Sequence, residues 1–299
     1  IDPKKEVGIL TNSFGEVSQF HQGAGEDATL DLFKLLQAIP DQSLLIIDEV
    51  EASLHPSAQR RLIQYLLKLT RIKKIQVILS THSAHVLDEI PPEGRIMLVQ
   101  MQNGKDILYG ISTRFALSSI DDYFHPELYV FVEDEEAETI INEILKMSDS
   151  TGRILNRISI KPIGGFSVVD TVAKLIKENK LPYKGIAIVD GDKINECSNC
   201  QIGLPGQKAP EKQVIEDLKA INWQNLDGRF GIGAGILFQV LQEAVLEPDH
   251  HDWTTYIGNH IKQSKSYVWS VLVEEWCKQC LDTDERERIY NAIVESLNN

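Results

Sequence analysis

Apolar residues along this chain follow two rhythms: short aliphatic runs that suit strands, and i, i+3, i+4 spacings that suit amphipathic helices. Leu30, Leu32, Phe33, Leu35 and Leu36 show the helical spacing. Leu44-Leu45-Ile46-Ile47 then predicts a strand buried on both faces, running into Asp48-Glu49. Pro56 suits a helix start, and Leu62, Tyr65, Leu66 and Leu69 continue it. Residues 75–80 form a second predicted strand, leading into Thr81-His82-Ser83. Strand, helix, strand in this order predicts a parallel pair with a right-handed crossover. Asp48-Glu49 and His82 are therefore expected side by side at one sheet edge. Asn103-Gly104, between residues 95–102 and 106–111, is a two-residue hairpin signal.

A polar stretch at 118–126 precedes a second series of elements. Leu128-Tyr129-Val130-Phe131-Val132 reads as a strand ending in Glu133, and Ala137, Ile140, Ile141, Ile144 and Leu145 read as a helix. A strand at 157–160, Gly164-Gly165, a helix over 167–179 and Ile186-Ala187-Ile188-Val189 complete a βαβαβ unit. From Ile236 onward the pattern is helical only, through Leu237, Val240, Leu241, Ala244 and Val245, then 267–281 and 289–297, a small bundle. Ser264-Lys265-Ser266 breaks this run and is a candidate to face a substrate groove. The predicted class is α/β, divided into 1–122, 123–222 and a helical 223–299.

Glu133, Asp190 and Asp192 all fall at strand C-terminal ends, where open α/β sheets gather their ligands. Residues i and i+2 of an extended chain face the same way, so Asp190 and Asp192 can share a divalent cation, with Gly191 allowing close approach. A solvated turn after a strand is the alternative reading of Asp-Gly-Asp. Three converging carboxylates suit one or two Mg2+ or Mn2+ ions, which stabilise charge on a phosphodiester under attack. His21-Gln22-Gly23-Ala24-Gly25-Glu26 before a helix suits phosphate, or is simply a helix-entry loop.

Composition changes this picture in two places. The 299 residues, 42% hydrophobic, carry a formal charge of −14, which argues against holding nucleic acid by bulk electrostatics and favours local or metal-assisted contact. Cys197-x-x-Cys200 and Cys277-x-x-Cys280 read as reduced thiols or as metal ligands, a four-cysteine Zn2+ site being one option and two incidental buried pairs the other. No run of about eighteen apolar residues suggests a membrane span. Ile1-Asp2-Pro3-Lys4-Lys5 leads into no signal-type segment, so a cytoplasmic protein without membrane association is expected.

The segments LLIIDEVEASLHP and VILSTHSAHVL resemble the Walker B, D-loop and switch-histidine regions of an ABC-type ATPase, and GAGE resembles its signature loop. The resemblance implies that Asp48 serves the magnesium sphere, Glu49 polarises the hydrolytic water and His82 contacts the γ-phosphate of ATP. It also implies that Gly23, Gly25 and Glu26 reach the nucleotide of a second subunit, hence a homodimer or higher homo-oligomer. The chain has no Gly-x-x-x-x-Gly-Lys-Ser/Thr loop, so it is expected to be the C-terminal part of a longer protein.

The second half is similar to a TOPRIM domain, with its strand-terminal Glu and later Asp-x-Asp. Asp134 stands where that family has a glycine and Ala137 where it has a second acid, with Glu136 and Glu138 on either side; Glu138 is the candidate metal ligand there, and the second ion has no obvious ligand at Ala137 itself. An ABC-type part followed by a TOPRIM part resembles the overcoming-lysogenization-defect (OLD) nucleases. LPGQKAPEK and DHHDW add to the likeness, with Lys208 as the basic group near the scissile phosphate and His250 and His251 as assisting groups or an interhelical turn. The implied function is an ATP-regulated, metal-dependent DNA endonuclease in antiviral defence, working with a partner protein or nucleic acid. A TOPRIM topoisomerase or primase and a non-catalytic assembly protein with a structural ion are the rivals.

Overall fold

The computed structural model describes residues 9–12, 15–18, 32, 34–52, 54–101, 104–118, 120, 123–149, 152–200 and 202–298. The chain forms two compact units, Ile1–His125 and Pro126–Asn299. Mixed α/β architecture with parallel strands holds in both.

The first unit begins with an antiparallel pair, β1 (Ile9–Asn12) and β2 (Gly15–Ser18), that the apolar pattern does not announce. Residues 34–38 are helical. β3 (Leu44–Ile47) pairs in parallel with β4 (Gln76–Leu79), from Leu44↔Gln76 to Ile47↔Leu79. The crossover is α1 (Pro56–Lys73), where Pro56 opens the helix and the His55 side chain accepts from the Ser57 N–H. Leu62, Ile63, Leu66 and Leu69 bury one face of α1 against Leu36, Leu45, Ile75 and Val86. Strand β3 departs from the expected two-sided burial: Leu45 is buried, but Leu44 is 54% and Ile46 69% exposed. Alternate strand residues face opposite ways, and α1 covers only one of those faces. A short helix α2 (Ala84–Leu87) follows β4. β5 (Ile96–Met101) and β6 (Gly104–Tyr109) form the antiparallel hairpin; Asn103 of its turn lies outside the described residues. Helix α3 (Thr113–Leu117) packs Phe115 and Ala116 against Leu108 and Ile111.

The second unit is built on β7 (Leu128–Val132), β8 (Ile158–Pro162), β9 (Lys184–Val189) and the two-residue β10 (Ile202–Gly203), all parallel, in the order β10-β9-β7-β8. The strand order reverses at the β7–β9 pair, which makes the crevice beyond their C-terminal ends the topological switch point. Crossovers are α4 (Glu135–Ser148) and α5 (Phe166–Lys177). Leu128, Val130 and Val132 point to one face, where they meet α4; Phe131 points to the other, with Val169 and Ala173 of α5. Residues 210–298 add α6 (Pro210–Ala220), α7 (Leu226–Phe230), α8 (Ala234–Ala244), α9 (Trp253–Ile261), α10 (Lys265–Gln279) and α11 (Thr283–Asn298). Their Val214, Leu237, Ile257, Leu272, Trp276, Ile289 and Ile293 join the α4 face in one continuous core. The helical region set apart in the sequence reading thus shares its core with the sheet. Arg288 Nη2 donates to Gly203 O at 3.1 Å, and Lys184 Nζ to Leu297 O at 3.2 Å, fastening α11 to the strands. Among the described residues no helix is long and apolar enough to cross a membrane.

Candidate functional site

In the first unit, the parallel register carries Asp48-Glu49 and Ser80-Thr81-His82 to the same edge. Ser80 links the two segments: its hydroxyl donates to Asp48 Oδ1, and accepts from the Glu49 N–H at 2.8 Å. Glu49 has φ 47°, a left-handed backbone that costs a non-glycine residue roughly 1 kcal/mol. Glu51 grips the facing segment, accepting from Thr81 Oγ1 at 2.6 Å and from the His82 N–H at 2.5 Å. Asp48, Glu49 and His82 are exposed. The arrangement presents two carboxylates and an imidazole to solvent from backbone that Glu51 and Ser80 hold in place. Gly23, Gly25 and Glu26 lie outside the described residues.

In the second unit, Glu133 follows β7 and Asp190 follows β9, at the switch point. Glu133 Oε1 accepts the Asp190 N–H at 3.1 Å, and its carboxylate also accepts from the backbone of Phe166 at the start of α5. Burial nevertheless raises the Glu133 pKa, with the charges of Asp134 and Asp192 adding to it. Asp134 caps α4 through the Ala137 N–H at 2.8 Å, and burial raises it too. Asp190 is pushed up to about 8, first by burial and then by Glu133, Asp134, Asp192 and Glu211. Asp190 Oδ1 and Asp192 Oδ1 are buried without a hydrogen-bond partner. Gly191 is required here, because a Cβ would lie 2.5 Å from Gly206 O and 3.0 Å from Leu204 O. Buried anions of one sign with unpaired oxygens are the chemistry a hard divalent cation relieves. Carboxylate oxygens are the donors such a cation takes, but among the described residues Glu133, Asp190 and Asp192 do not bring three ligand atoms within 4.8 Å of one another.

The structure distributes the remaining predicted residues unevenly. Lys208 pairs with Glu216 at 2.5 Å on the surface, and the charges that bear on it are those of Glu216 and Asp217 rather than the acid cluster. The cation on the cluster side is instead Lys265, at the start of α10, whose Nζ lies 2.6 Å from Glu136 Oε1 and feels Glu211 and Asp134. Lys193 is a second, with Nζ 3.9 Å from Asp192 Oδ2. Burial raises the Glu138 pKa, with Glu135 adding to the rise and Lys161 opposing it, so the charges that bear on Glu138 are not those around Asp190. The four-cysteine zinc site is corrected. Cys197 and Cys200 are joined by a disulfide and pack on the α5 face, whereas Cys277 is buried on the α4 face with Cys280 against it. The reduced-thiol reading of the first pair falls with it. Burial pushes the Cys277 thiol up to about 12, which suits an inert core residue. Glu211 and Lys193 were not singled out as site residues; only the fold shows that they reach the cluster.

Asp-Glu and a histidine thus sit at paired strand ends spanned by a parallel crossover, within a stretch that comparison with known proteins relates to ATPases. Residues 27–88 match the family described as "AAA domain, putative AbiEii toxin, Type IV TA system". The chain is 26% identical over 143 residues to the phosphonates import ATP-binding protein PhnC 2 of Cupriavidus necator, covering 46% of this chain and 48% of that protein. It is 24% identical over 138 residues to the phosphonates import ATP-binding protein PhnC 1 of Cupriavidus metallidurans, 46% of each. The chain thus carries an AAA/ABC-type ATPase segment, and spans about half the length of these relatives.

Proposed function

We propose that this chain is a metal-dependent DNA endonuclease of the TOPRIM and OLD type, whose activity the ATPase segment regulates. The observation that carries this reading is the pair of buried, unpartnered oxygens on Asp190 and Asp192, beside Glu133, at the β7–β9 switch point. Glu133, Asp190 and Asp192 would hold Mg2+ or Mn2+, which when bound supplies Lewis-acid polarisation of a phosphoryl oxygen. Glu133 keeps Asp190 in register through its backbone N–H. Lys265 and Lys193 offset the negative field and give the phosphodiester a local basic contact on a chain of charge −14.

In this reading, once the Gly-x-x-x-x-Gly-Lys-Ser/Thr loop that the sequence lacks is supplied, Asp48 and Glu49 serve ATP and its hydrolytic water, His82 serves the γ-phosphate, and Gly23, Gly25 and Glu26 act across a homodimer. A defence setting with a partner protein or nucleic acid is in keeping with the toxin–antitoxin description of the matching family. The test is nicking of supercoiled plasmid in Mg2+ or Mn2+ by the chain and by Lys265→Ala: a strong loss supports the reading, and unchanged nicking contradicts the assigned site. The net charge favours one other reading, a non-catalytic assembly protein whose acids hold a structural ion; metal binding without nicking in the same assay would favour it.

A further inference from the structure

Glu211, His250 and His251 form a second constellation on the Asp134 side of the carboxylates. Glu211 lies in the first turn of α6, where its side chain is 1% exposed, and His250 and His251 come from the short turn His250–Asp252 before α9. One ligand atom from each residue falls within 4.8 Å of the others. The turn is set by Asp249, which accepts the His251 N–H at 3.0 Å, and the two imidazole rings lie 4.0 Å apart. The bland account is an ion pair, His251 Nδ1 to Glu211 Oε1 at 2.8 Å. That pair leaves two buried polar atoms unexplained: Glu211 Oε2 and His250 Nε2 have no hydrogen-bond partner.

We infer that Glu211, His250 and His251 bind a first-row transition dication, represented by Zn2+, through donors other than those of the neighbouring Asp190 and Asp192. Two imidazoles and one carboxylate are borderline ligands that suit Zn2+, Mn2+ or Co2+ better than the all-oxygen preference of Mg2+. Three protein ligands leave coordination positions open. His251, 58% exposed, marks the way in from solvent. The inference does not depend on nuclease activity, because it concerns binding alone.

The probes are Zn2+ in calorimetry and Co2+ in visible absorption, with the chelator-treated chain. Wild-type protein is expected to take up one Zn2+ at this site and to give a Co2+ spectrum without sulfur-to-cobalt charge transfer. The His250→Ala, His251→Ala double variant should bind at least ten-fold more weakly, and the Asp190→Asn, Asp192→Asn variant should keep the Zn2+ uptake that depends on the histidines. Should the double variant unfold, His251→Ala alone, at an exposed side chain, carries the test, with circular dichroism as the check on folding. Three results overturn the inference: unchanged Zn2+ affinity in the histidine variants, a thiolate band placing Co2+ on the cysteines, or loss of Zn2+ only in the aspartate variant. None of these bears on whether Mg2+ supports nicking through Asp190, so the two proposals fail independently.

Discussion

Replacing Asp190 by Asn removes one ionisable carboxyl from the buried cluster and keeps its backbone N–H bond to Glu133. The wild-type carboxyl moves from an ordinary value of 3.8 to about 8 on folding. A group whose folded pKa is raised binds its proton more tightly when folded, so the cluster is neutral in cost below the unfolded value, and destabilises increasingly as pH rises toward the folded value. At 1.36 kcal/mol per unit, the penalty reaches roughly 4 kcal/mol at pH 7. Urea unfolding in EDTA should therefore show wild-type stability falling between about pH 4 and 8, with Asp190→Asn gaining most at the upper end. Saturating Mg2+ should restore the wild type, by about 2.7 kcal/mol at a hundredfold excess over Kd, and leave the variant unmoved. A variant no more stable than wild type at pH 8 without metal, or equally stabilised by Mg2+, would refute the electrostatic account of the site.

Other consequences are as direct. Gly191→Ala forces a Cβ onto Gly206 O and should cost roughly 1–3 kcal/mol in urea unfolding while weakening Mg2+ binding. Lys265→Ala should lower plasmid nicking by roughly a hundredfold, with Lys208→Ala near wild type, and steady-state cleavage rates decide between them. Mass spectrometry after denaturing alkylation should count two modified cysteines before reduction and four after, since Cys197 and Cys200 are paired and Cys277 and Cys280 are free. Ile293→Ala, fully buried on α11, should destabilise the second unit by about 2–5 kcal/mol, because that helix belongs to the sheet's core.

The acids that follow strands were legible because aliphatic runs mark the strands and the chain delivers the next residue to the sheet edge. Glu133 and Asp190 meet for that reason, Glu133 accepting the Asp190 N–H, whereas Asp192 lies in the 3-10 turn Gly191–Lys193 rather than on the extended chain that the Asp-x-Asp spacing assumed. Lys265 was legible only as a break in a helical pattern, and Lys208 stood out by nearness in sequence, which says nothing of nearness in space. Glu211 hides in the first turn of α6, where an acid ordinarily complements the helix dipole, so its pairing with His251 shows only in the tertiary packing. The cysteines misled because spacing reports local geometry: the two Cys-x-x-Cys pairs lie on opposite faces of one sheet. In the first unit Glu51 and Ser80 escaped notice because they support the edge residues rather than matching the motif that names them.

The most direct test of the central claim is cleavage of supercoiled plasmid in Mg2+ and in Mn2+ by the wild-type chain and by Asp190→Ala, Asp192→Ala, both checked for folding by circular dichroism. Metal-dependent nicking that disappears in the double variant is the predicted result. Full nicking by the double variant would contradict it.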